Sequence, residues 1–432
     1  MTDAAYSIDP EDDDEAPAQG TPQRVDPIRA RPVPRINIQA FCEDQDTAAA
    51  IQHASEDRRL AKAHVNVRLG GVEAAVTFFR STSTPNLIII ESFLKGDALL
   101  ADLDRLAEVC DPGTKVVAVG HVNDVLLYRE LIKRGVSEYV VAPISVAQII
   151  ECISDIYANP DSDPVGQTVA FIGAKGGAGS STVCHNTAFA ISADLKDESV
   201  IVDLDLPFGT AGLDFNQDPI QGIAEALASP ERMDEVLLDR LLSRCSDHLS
   251  LFAAPGTLDR THEIESESCE TVLDTVRNNV PWVALDVPHI WTEWAQQVVM
   301  RADHVVLTAA PDLANLRNAK NIVDQLKAKR VNDRPPYLVL NQVGIPKRPE
   351  ISIKDFAQAL ELDPVVVIDF DAPLFGTAAN NGQMIEEVSE NSKAADQFRT
   401  LAYTLTDRVE SKRESSSFLG SFLSSLGLSK SA

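Results

Sequence analysis

The chain has little positive charge for its length and no long apolar run, and both absences narrow its class. Its 432 residues contain 38 Lys and Arg against 65 Asp and Glu, a formal net charge of −27 at pH 7. Such a chain repels nucleic acid phosphates and anionic lipid headgroups at long range, so protein or small-molecule partners are expected and nucleic acid is not. No apolar run approaches the roughly 20 residues that span a bilayer.

Cysteine and histidine lack the spacings of a metal site or a disulfide framework. The six cysteines include no CxxC pair, and the eight histidines form no HxxxH or mixed His/Cys cluster. Scattered cysteines are typical of reduced, mostly buried thiols in a cytosolic protein. The first residues have neither the basic nor the apolar region of a secretory signal, so a cytoplasmic protein is expected.

Composition changes along the chain predict five segments. Residues 1–35 combine an acidic block with a Pro/Arg stretch and predict a disordered arm. Residues 36–158 and 167–410 alternate between strand and helix patterns, and each predicts an α/β domain with a parallel sheet between layers of helices. Residues 159–166 carry prolines and turn formers and predict a linker. Residues 411–432 predict an amphipathic tail.

The two ends of the chain leave alternatives open. The arm is either a solvated tail or a docking segment for a partner. In the C-terminal tail the large apolar residues follow helical spacing, which predicts one apolar face: Phe418, Leu419, Phe422, Leu423 and Leu426. The tail has few cations, so membrane contact, docking to a partner helix and disorder all remain open.

The first domain contains unbroken apolar strands of the kind that are buried on both faces, such as NLIIIES at 86–92. Five strands alternating with helices over about 120 residues resemble the receiver domain of two-component response regulators. That resemblance implies a three-layer, flavodoxin-like fold with a five-stranded parallel sheet.

The receiver resemblance does not extend to the phosphoryl chemistry. Glu43 and Asp44 match the acidic pair that holds Mg²⁺ in receivers, but Glu91 stands where the phosphorylated Asp belongs. Gly120 replaces the expected Thr or Ser, and Ala142 replaces the expected Lys. Phosphoryl transfer needs a nucleophile at the right reach and groups that hold the developing charge. The domain is therefore expected to serve as a docking or dimerisation surface.

The second domain opens with TVAFIGAKGGAGSSTVCHNTAFAIS at 168–192, an apolar strand, a Gly-rich loop and a helix. That context is the one a phosphate-binding loop requires, because loop N–H groups and a helix N-terminus together form an anion site. The strict pattern G-x-x-x-x-G-K-[ST] fails, since Ala174 stands at the first Gly and Ser180 at the Lys. What remains resembles the deviant P-loop of the MinD/ParA ATPases, K-G-G-x-G-K-[ST]-[ST].

The MinD/ParA resemblance implies ATP and Mg²⁺ as cofactors and a MinD/ParA-type NTPase fold for the second domain. It implies that Lys175 acts catalytically across an ATP-sandwiched dimer and that the Ser181 hydroxyl binds Mg²⁺. The loop residues to which it assigns nucleotide contact are Lys175, Gly176, Gly177, Ala178, Gly179, Ser180, Ser181 and Thr182.

Later motifs follow in the order of the same family. The strand SVIVD at 199–203 ends in Asp203, the first residue of the motif Asp203-x-Asp205. The resemblance places Asp203 near Mg²⁺ and implies that Asp205 orients or activates the attacking water. Asp286 ends an apolar strand and matches a Walker B carboxylate for Mg²⁺. Asn341 holds the position that reads adenine in relatives. His185, in the first helix, is expected to pack or cap there.

The replacement of lysine by Ser180 has an energetic meaning. A charged hydrogen bond to phosphate contributes roughly 1.5–3 kcal/mol, or about ten- to a hundredfold in affinity. Nucleotide binding survives such a loss more easily than turnover does, because charge in the transition state is stabilised less. Weak or absent hydrolysis is therefore expected.

A degenerate receiver followed by a MinD/ParA-like ATPase resembles the CpaE/TadZ proteins of Flp (tight-adherence, type IVb) pilus systems. The resemblance implies a nucleotide-gated homodimer at the cell pole, peripheral to the inner membrane, that positions the pilus assembly and secretion proteins. Two alternatives remain. One is a MinD/ParA-type cargo-positioning ATPase with turnover on membrane or nucleoid, and the other is a scaffold with an inactive nucleotide site.

Overall fold

The computed structural model describes residues 30, 32–157, 165–219, 221–258 and 263–408. Within them the chain forms an N-terminal unit, Asn37–Tyr157, and a C-terminal unit, Gln167–Leu405. Most of the predicted arm, most of the linker and the whole tail lie outside the described residues. The domain boundaries stay predictions.

The N-terminal unit has a five-stranded sheet in the order β2-β1-β3-β4-β5, with every neighbouring pair parallel. This order is the flavodoxin-like one, so the predicted fold class is confirmed. The strands are β1 (Asn37–Cys42), β2 (His64–Leu69), β3 (Leu87–Glu91), β4 (Lys115–Gly120) and β5 (Glu138–Val141). The helices are α1 (Gln45–Ser55), α2 (Gly71–Phe79), α3 (Asp97–Ala107), α4 (Val125–Lys133) and α5 (Val146–Tyr157).

The apolar positions of helix α3 repeat at helical spacing, and the leucines at 99, 100, 103 and 106 are all buried. Strand β3 is buried along its whole length, as its unbroken apolar run predicts.

The C-terminal unit has an eight-stranded sheet in the order β13-β12-β11-β6-β10-β7-β9-β8, parallel except for the antiparallel β8–β9 edge pair. Its strands are β6 (Gln167–Gly173), β7 (Ser199–Asp203), β8 (Ser243–Arg244), β9 (Leu249–Phe252), β10 (Trp282–Val287), β11 (His304–Ala309), β12 (Tyr337–Val343) and β13 (Pro364–Asp369).

Helices cover both faces of this sheet. They are α6 (Ser180–Asp194), α7 (Ala211–Asp214), α8 (Ile223–Ala228), α9 (Glu235–Leu241), α10 (Ser266–Arg277), α11 (Glu293–Arg301), α12 (Leu313–Lys329), α13 (Ile353–Leu360), α14 (Ala372–Asn381), α15 (Ile385–Val388) and α16 (Lys393–Leu405). Residues of β6 alternate between two cores: Ala170 and Ile172 pack with α10 to α13, whereas Val169 and Phe171 pack with α6 and α16. The sheet is therefore the middle of three layers.

The two units meet at a short 3-10 turn, Arg58–Leu60, which lies against the loops that precede β11 and β12. The Arg58 side chain pairs there with Asp303 and Asp333. Val33 lies within the segment for which the sequence predicts disorder, yet its side chain is buried and its N–H donates to Arg59 O at 2.9 Å. The last residues of that segment therefore pack at the junction of the units.

All six cysteines are free thiols, three of them buried and three partly buried. In the part of the chain that the structure describes, no helix combines the length and the apolar character needed to cross a bilayer.

Candidate nucleotide site

The Gly-rich loop runs between β6 and α6 at the carboxyl edge of the eight-stranded sheet. Gly177 and Gly179 have φ values of +82° and +87°, a backbone region that favours glycine. A Cβ at Gly179 would lie 2.4 Å from Asn341 Nδ2, so the close approach of the loop to β12 also requires glycine there. At Gly176 and Gly177 a Cβ would meet nothing within 4 Å, so one side of the loop is open.

Side chains from three other elements hold the loop by its carbonyl groups. Asn341 Nδ2 donates to Ala178 O, and Gln342 Nε2 donates to Gly177 O, both at 2.9 Å. Asn318 Nδ2 donates to Ala174 O at 2.9 Å, and His289 Nδ1 lies 2.8 Å from Gly173 O. These contacts fix the loop in place before any ligand binds.

One polar atom in the loop has nothing to bond. The Ser180 hydroxyl, where the related P-loops carry lysine, is buried and has no hydrogen-bond partner among the described residues. Such orphaned groups are rare in folded proteins and are usually satisfied by a ligand, ion or water. The loop thus fits a phosphate group, with the Ser180 hydroxyl and the α6 N-terminus as donors.

Three predicted metal-binding residues come together beside the loop. Asp203 and Asp286 are register neighbours on the adjacent strands β7 and β10. The Ser181 hydroxyl, in the first turn of α6, donates to Asp286 Oδ1 at 3.2 Å. Asp203 is also held, because its carboxylate accepts from the N–H groups of Asp205 and Ala211 at 3.1 and 3.2 Å.

Burial shapes the charge of these carboxyls. Burial, followed by the nearby Asp286 carboxylate, raises the pKa of Asp203 to about 7. Burial also raises the pKa of Asp205, whose carboxylate accepts from Phe208 N at 3.2 Å. A cation bound here would lower the pKa of both carboxyls and favour their ionised forms, because its positive charge offsets the cost of burying a carboxylate.

His185 is the residue whose role sequence reasoning missed, since it was expected only to pack or cap. Its ring is fully buried, with Nδ1 2.8 Å from Asp214 Oδ2 and Nε2 3.2 Å from Asp286 Oδ2. Burial alone would lower the pKa of His185, but the two carboxylates outweigh burial and raise it to about 10. The sequence does contain a signal for this residue: His185 comes five positions after Ser180, where the related loops have lysine.

The remaining predicted residues lie as follows. Lys175 is exposed on the loop, close enough to the N-cap of α12 that it contributes to the lowered pKa of Asp312. Thr182 lies in the first turn of α6. Asn341 is buried, and both of its amide atoms are engaged, Nδ2 by the loop and Oδ1 by Gln342 N. It therefore supports the loop in this structure.

The donor set suits Mg²⁺. In the described residues no group of three or more His, Cys, Asp or Glu side chains forms a metal-binding cluster. Mg²⁺ does not need one, since it keeps several waters and binds one or two carboxylates together with phosphate oxygens. Ser181 and Asp286, with Asp203 behind them, fit that mode.

The corresponding edge of the N-terminal unit is closed by its own side chains. Glu91 is fully buried, and its carboxylate accepts from the N–H groups of Glu43 and Asp44 at 2.9 and 2.8 Å and from the Thr47 hydroxyl at 2.7 Å. His121 Nε2 lies 3.2 Å from the same carboxylate. The hydrogen-bonding capacity of the Glu91 carboxylate is thus taken up by groups of the same unit.

Two further features oppose the receiver-type metal and phosphoryl site. The Glu43 carboxylate accepts from Phe93 N at 2.8 Å. A Cβ at Gly120 would lie 2.2 Å from Tyr139 Oη, so the Tyr139 ring occupies the space that a Thr or Ser would need. The sequence-based expectation that this unit lacks phosphoryl chemistry agrees with this packing.

Comparisons with known proteins place the chain. No protein-family model matches it. A solved pilus assembly protein CpaE from Caulobacter crescentus CB15 is 49% identical, and the match covers 98% of that protein and 30% of this chain, with a TM-score of 0.29. The chain belongs to the CpaE family of pilus assembly proteins. The assignment rests on the sequence identity over nearly the whole of that relative.

The other matches concern the ATPase fold. Septum site-determining protein MinD of Bacillus subtilis (strain 168) is 24% identical over 245 residues, which are 55% of this chain and 88% of that protein. A ParA family ATPase from Chlorobium tepidum TLS is 22% identical, with a TM-score of 0.51 over 56% of this chain and 99% of that protein. This CpaE family member therefore contains a unit with the MinD/ParA-type ATPase fold.

Proposed function

We propose that this chain is an ATP-binding, nucleotide-gated dimeric switch that positions assembly of a Flp/Tad pilus machine at the cell pole, with weak or no hydrolysis. The observation that carries the proposal is the Gly-rich loop, which side chains of neighbouring elements hold by hydrogen bonds to its carbonyl groups but which has Ser180 where related loops have lysine. Binding groups are retained, while the cation that would stabilise the transition state is absent.

The residues present have distinct roles in the proposed site. The loop from Lys175 to Thr182 binds the phosphates, with the Ser180 hydroxyl as one donor. Ser181 and Asp286 would hold Mg²⁺, with Asp203 beside them, and Asp205 would orient the attacking water. Mg²⁺, when bound, supplies positive charge to the phosphate oxygens. Asn341 holds the loop through Ala178 O, and its contact with adenine, which the family resemblance implies, is part of the proposal.

Exposed apolar side chains around the site support dimerisation through this edge. Exposed apolar residues follow the carboxyl ends of β7, β10 and β11, which meet at the edge that carries the loop. They are Phe208 after β7, Ile290 and Trp291 after β10, and Leu313 after β11. Phe208 and Leu313 are 72% and 74% exposed. Clustered exposed apolar residues mark interaction sites, and Lys175 lies within this surface.

A second set of exposed apolar residues, on the N-terminal unit, supports docking of a pilus partner. It comprises Phe93 and Leu94 after β3 and Val125 and Leu126 at the start of α4. Leu126 is 76% exposed. The tail at 411–432, which would contact membrane or a partner helix, lies outside the described residues.

The test is the mass of the full chain in solution by light scattering, with Mg-ATP, with Mg-ADP and without nucleotide. We expect Mg-ATP alone to produce a dimer. Lys175→Ala should stay monomeric, because the variant lacks the ammonium group that would reach the phosphates bound by the partner protomer. Lys196→Ala, an exposed lysine at the far end of α6, is the matched control and should dimerise. A mass that never responds to nucleotide would contradict the switch.

The alternative, a MinD/ParA-type cargo-positioning ATPase with genuine turnover, is favoured by the intact Asp203, Asp205 and Asp286 set. ATP hydrolysis measured with and without anionic vesicles or DNA separates the two. Turnover stimulated by either surface would favour the alternative, and uniformly slow turnover favours the switch.

A further inference from the structure

His185 joins the candidate Mg²⁺ site to a segment on the surface of the C-terminal unit. Its Nε2 lies 3.2 Å from Oδ2 of Asp286 as an ion-pair contact without hydrogen-bond geometry, and its Nδ1 lies 2.8 Å from Oδ2 of Asp214, the last residue of α7. The ring itself is completely buried. Because both nitrogens lie within ion-pair distance of carboxylate oxygens, the ring connects two residues that are 72 positions apart in the chain.

The segment 205–217 is also tied to the site through Asp203. The N–H groups of Asp205 and of Ala211, at the start of α7, both donate to the Asp203 carboxylate, at 3.1 and 3.2 Å. A Cβ at Gly209 would lie 2.3 Å from Asp203 Oδ2, so this segment packs directly on the site. A shift of Asp286 or Asp203 on ligand binding would therefore be felt along the segment.

The same segment carries apolar groups to the surface. Phe208 and Leu213 are each 72% exposed, one on either side of the point where Ala211 meets Asp203. The segment also contacts α14, because Gly382 lies so close that a Cβ there would be 2.7 Å from Leu213 O. Its position therefore decides how two large apolar side chains are presented.

We infer that His185 is a positioning residue that orients the Asp286 carboxylate for Mg²⁺ and, through Asp214, transmits occupancy of the site to the segment 205–217. The inference rests on the proposed function, since it requires that Mg-nucleotide binds. Partners behind metal ligands commonly act in this way, and their loss costs about 10–100-fold in metal affinity.

The test compares variants by two readouts, using a non-hydrolysable ATP analogue on the full chain. The first is the gain in nucleotide affinity on adding Mg²⁺, and the second is the slowing of amide hydrogen exchange in 205–217. For His185→Ala we expect the Mg²⁺-dependent gain to fall about tenfold or more, affinity without Mg²⁺ to change little, and the slowing of exchange to disappear.

Two milder variants separate positioning from a merely structural role. The amide nitrogen of His185→Gln reaches the place of Nε2, so this variant should recover much of the Mg²⁺-dependent gain without the slowing of exchange. Asp214→Ala should keep the gain within about threefold, because the Asp286 contact remains, and should lose the slowing of exchange. Asp218→Ala, exposed and four residues further on, is the matched control and should behave as wild type.

The outcomes are distinguishable. If wild type binds Mg-nucleotide and Asp214→Ala shows full slowing of exchange, the coupling is overturned. If His185→Ala keeps both the whole Mg²⁺-dependent gain in affinity and the slowing of exchange, the positioning role is overturned. Should His185→Ala not fold, the same result for His185→Gln overturns it. If wild type binds no nucleotide, the proposed function fails and the inference fails with it.

Discussion

Arg58 of the N-terminal unit binds the Asp333 carboxylate of the C-terminal unit through two nitrogens, with Nε 2.8 Å from Oδ2 and Nη2 3.3 Å from Oδ1. The two side chains are only 12% and 5% exposed. Arg59 and Arg330 pair with the same carboxylate. Bidentate pairs add geometric specificity to charge, so this carboxylate orients the two units relative to each other.

Arg58→Ala should destabilise the full chain. Arg59 and Arg330 would still pair with Asp333, so the loss is that of the charged hydrogen bonds made by Arg58, and we expect the free energy of unfolding to fall by about 2 kcal/mol. Denaturant unfolding measures it. Arg105→Ala, which removes a more exposed ion pair with Asp102, should cost about 0–1 kcal/mol. Equal losses in the two variants would contradict a special role for Arg58.

The junction should also respond to acid. Burial would raise the pKa of Asp333, but Arg58, Arg330 and Arg59 lower it from 3.8 to about 2. Because the folded pKa lies below the unfolded one, ionised Asp333 contributes about 2 kcal/mol above about pH 4, which is lost as the pH falls towards 2. Unfolding free energies measured across this range should show the loss in wild type. The Asp333→Asn variant should lack it, and parallel curves would contradict the assignment.

Restoring the lysine should restore turnover. We expect Ser180→Lys to raise single-turnover ATP hydrolysis by about ten- to a hundredfold, because a cation at the phosphates stabilises the transition state. Ser180→Ala, which removes only the orphaned hydroxyl, is the control and should hydrolyse no faster than wild type. Wild-type hydrolysis as fast as that of Ser180→Lys would show that Ser180 does not limit turnover.

Glu91 should be essential to the stability of the N-terminal unit. Glu91→Ala removes the acceptor of two backbone N–H groups and a hydroxyl, so we expect a loss of about 3 kcal/mol in unfolding free energy. The comparison is Glu130→Ala, whose ion pair with Arg134 is partly exposed and should cost under about 1 kcal/mol. A loss no larger than that control's would mean that water replaces the carboxylate.

The N-terminal unit should accept no phosphoryl group. Glu91 is buried and fully hydrogen-bonded, and Tyr139 occupies the space beside Gly120. Incubation with acetyl phosphate and Mg²⁺ should therefore leave the intact mass unchanged. An increase by one phosphoryl group that Glu91→Gln abolishes would overturn this assignment.

Much of the fold follows from local pattern. Unbroken apolar runs such as 87–90 indicate strands buried on both faces, and their alternation with helices indicates parallel sheets. The antiparallel β8–β9 edge was missed, since β8 is only two residues long and pairing across a sheet leaves no local signal.

The candidate site divides in the same way. The sequence alone indicates the loop 174–179, the missing lysine at Ser180 and the carboxyls Asp203 and Asp286. Each of these follows or ends an apolar strand, and the carboxyl ends of parallel strands lie at the same edge of the sheet. Only tertiary structure brings His185 between Asp214 and Asp286, closes Glu91 against the loop after β1 and joins Arg58 to Asp333. These contacts link distant parts of the chain, and their partners depend on burial and on side-chain direction, which local pattern does not specify.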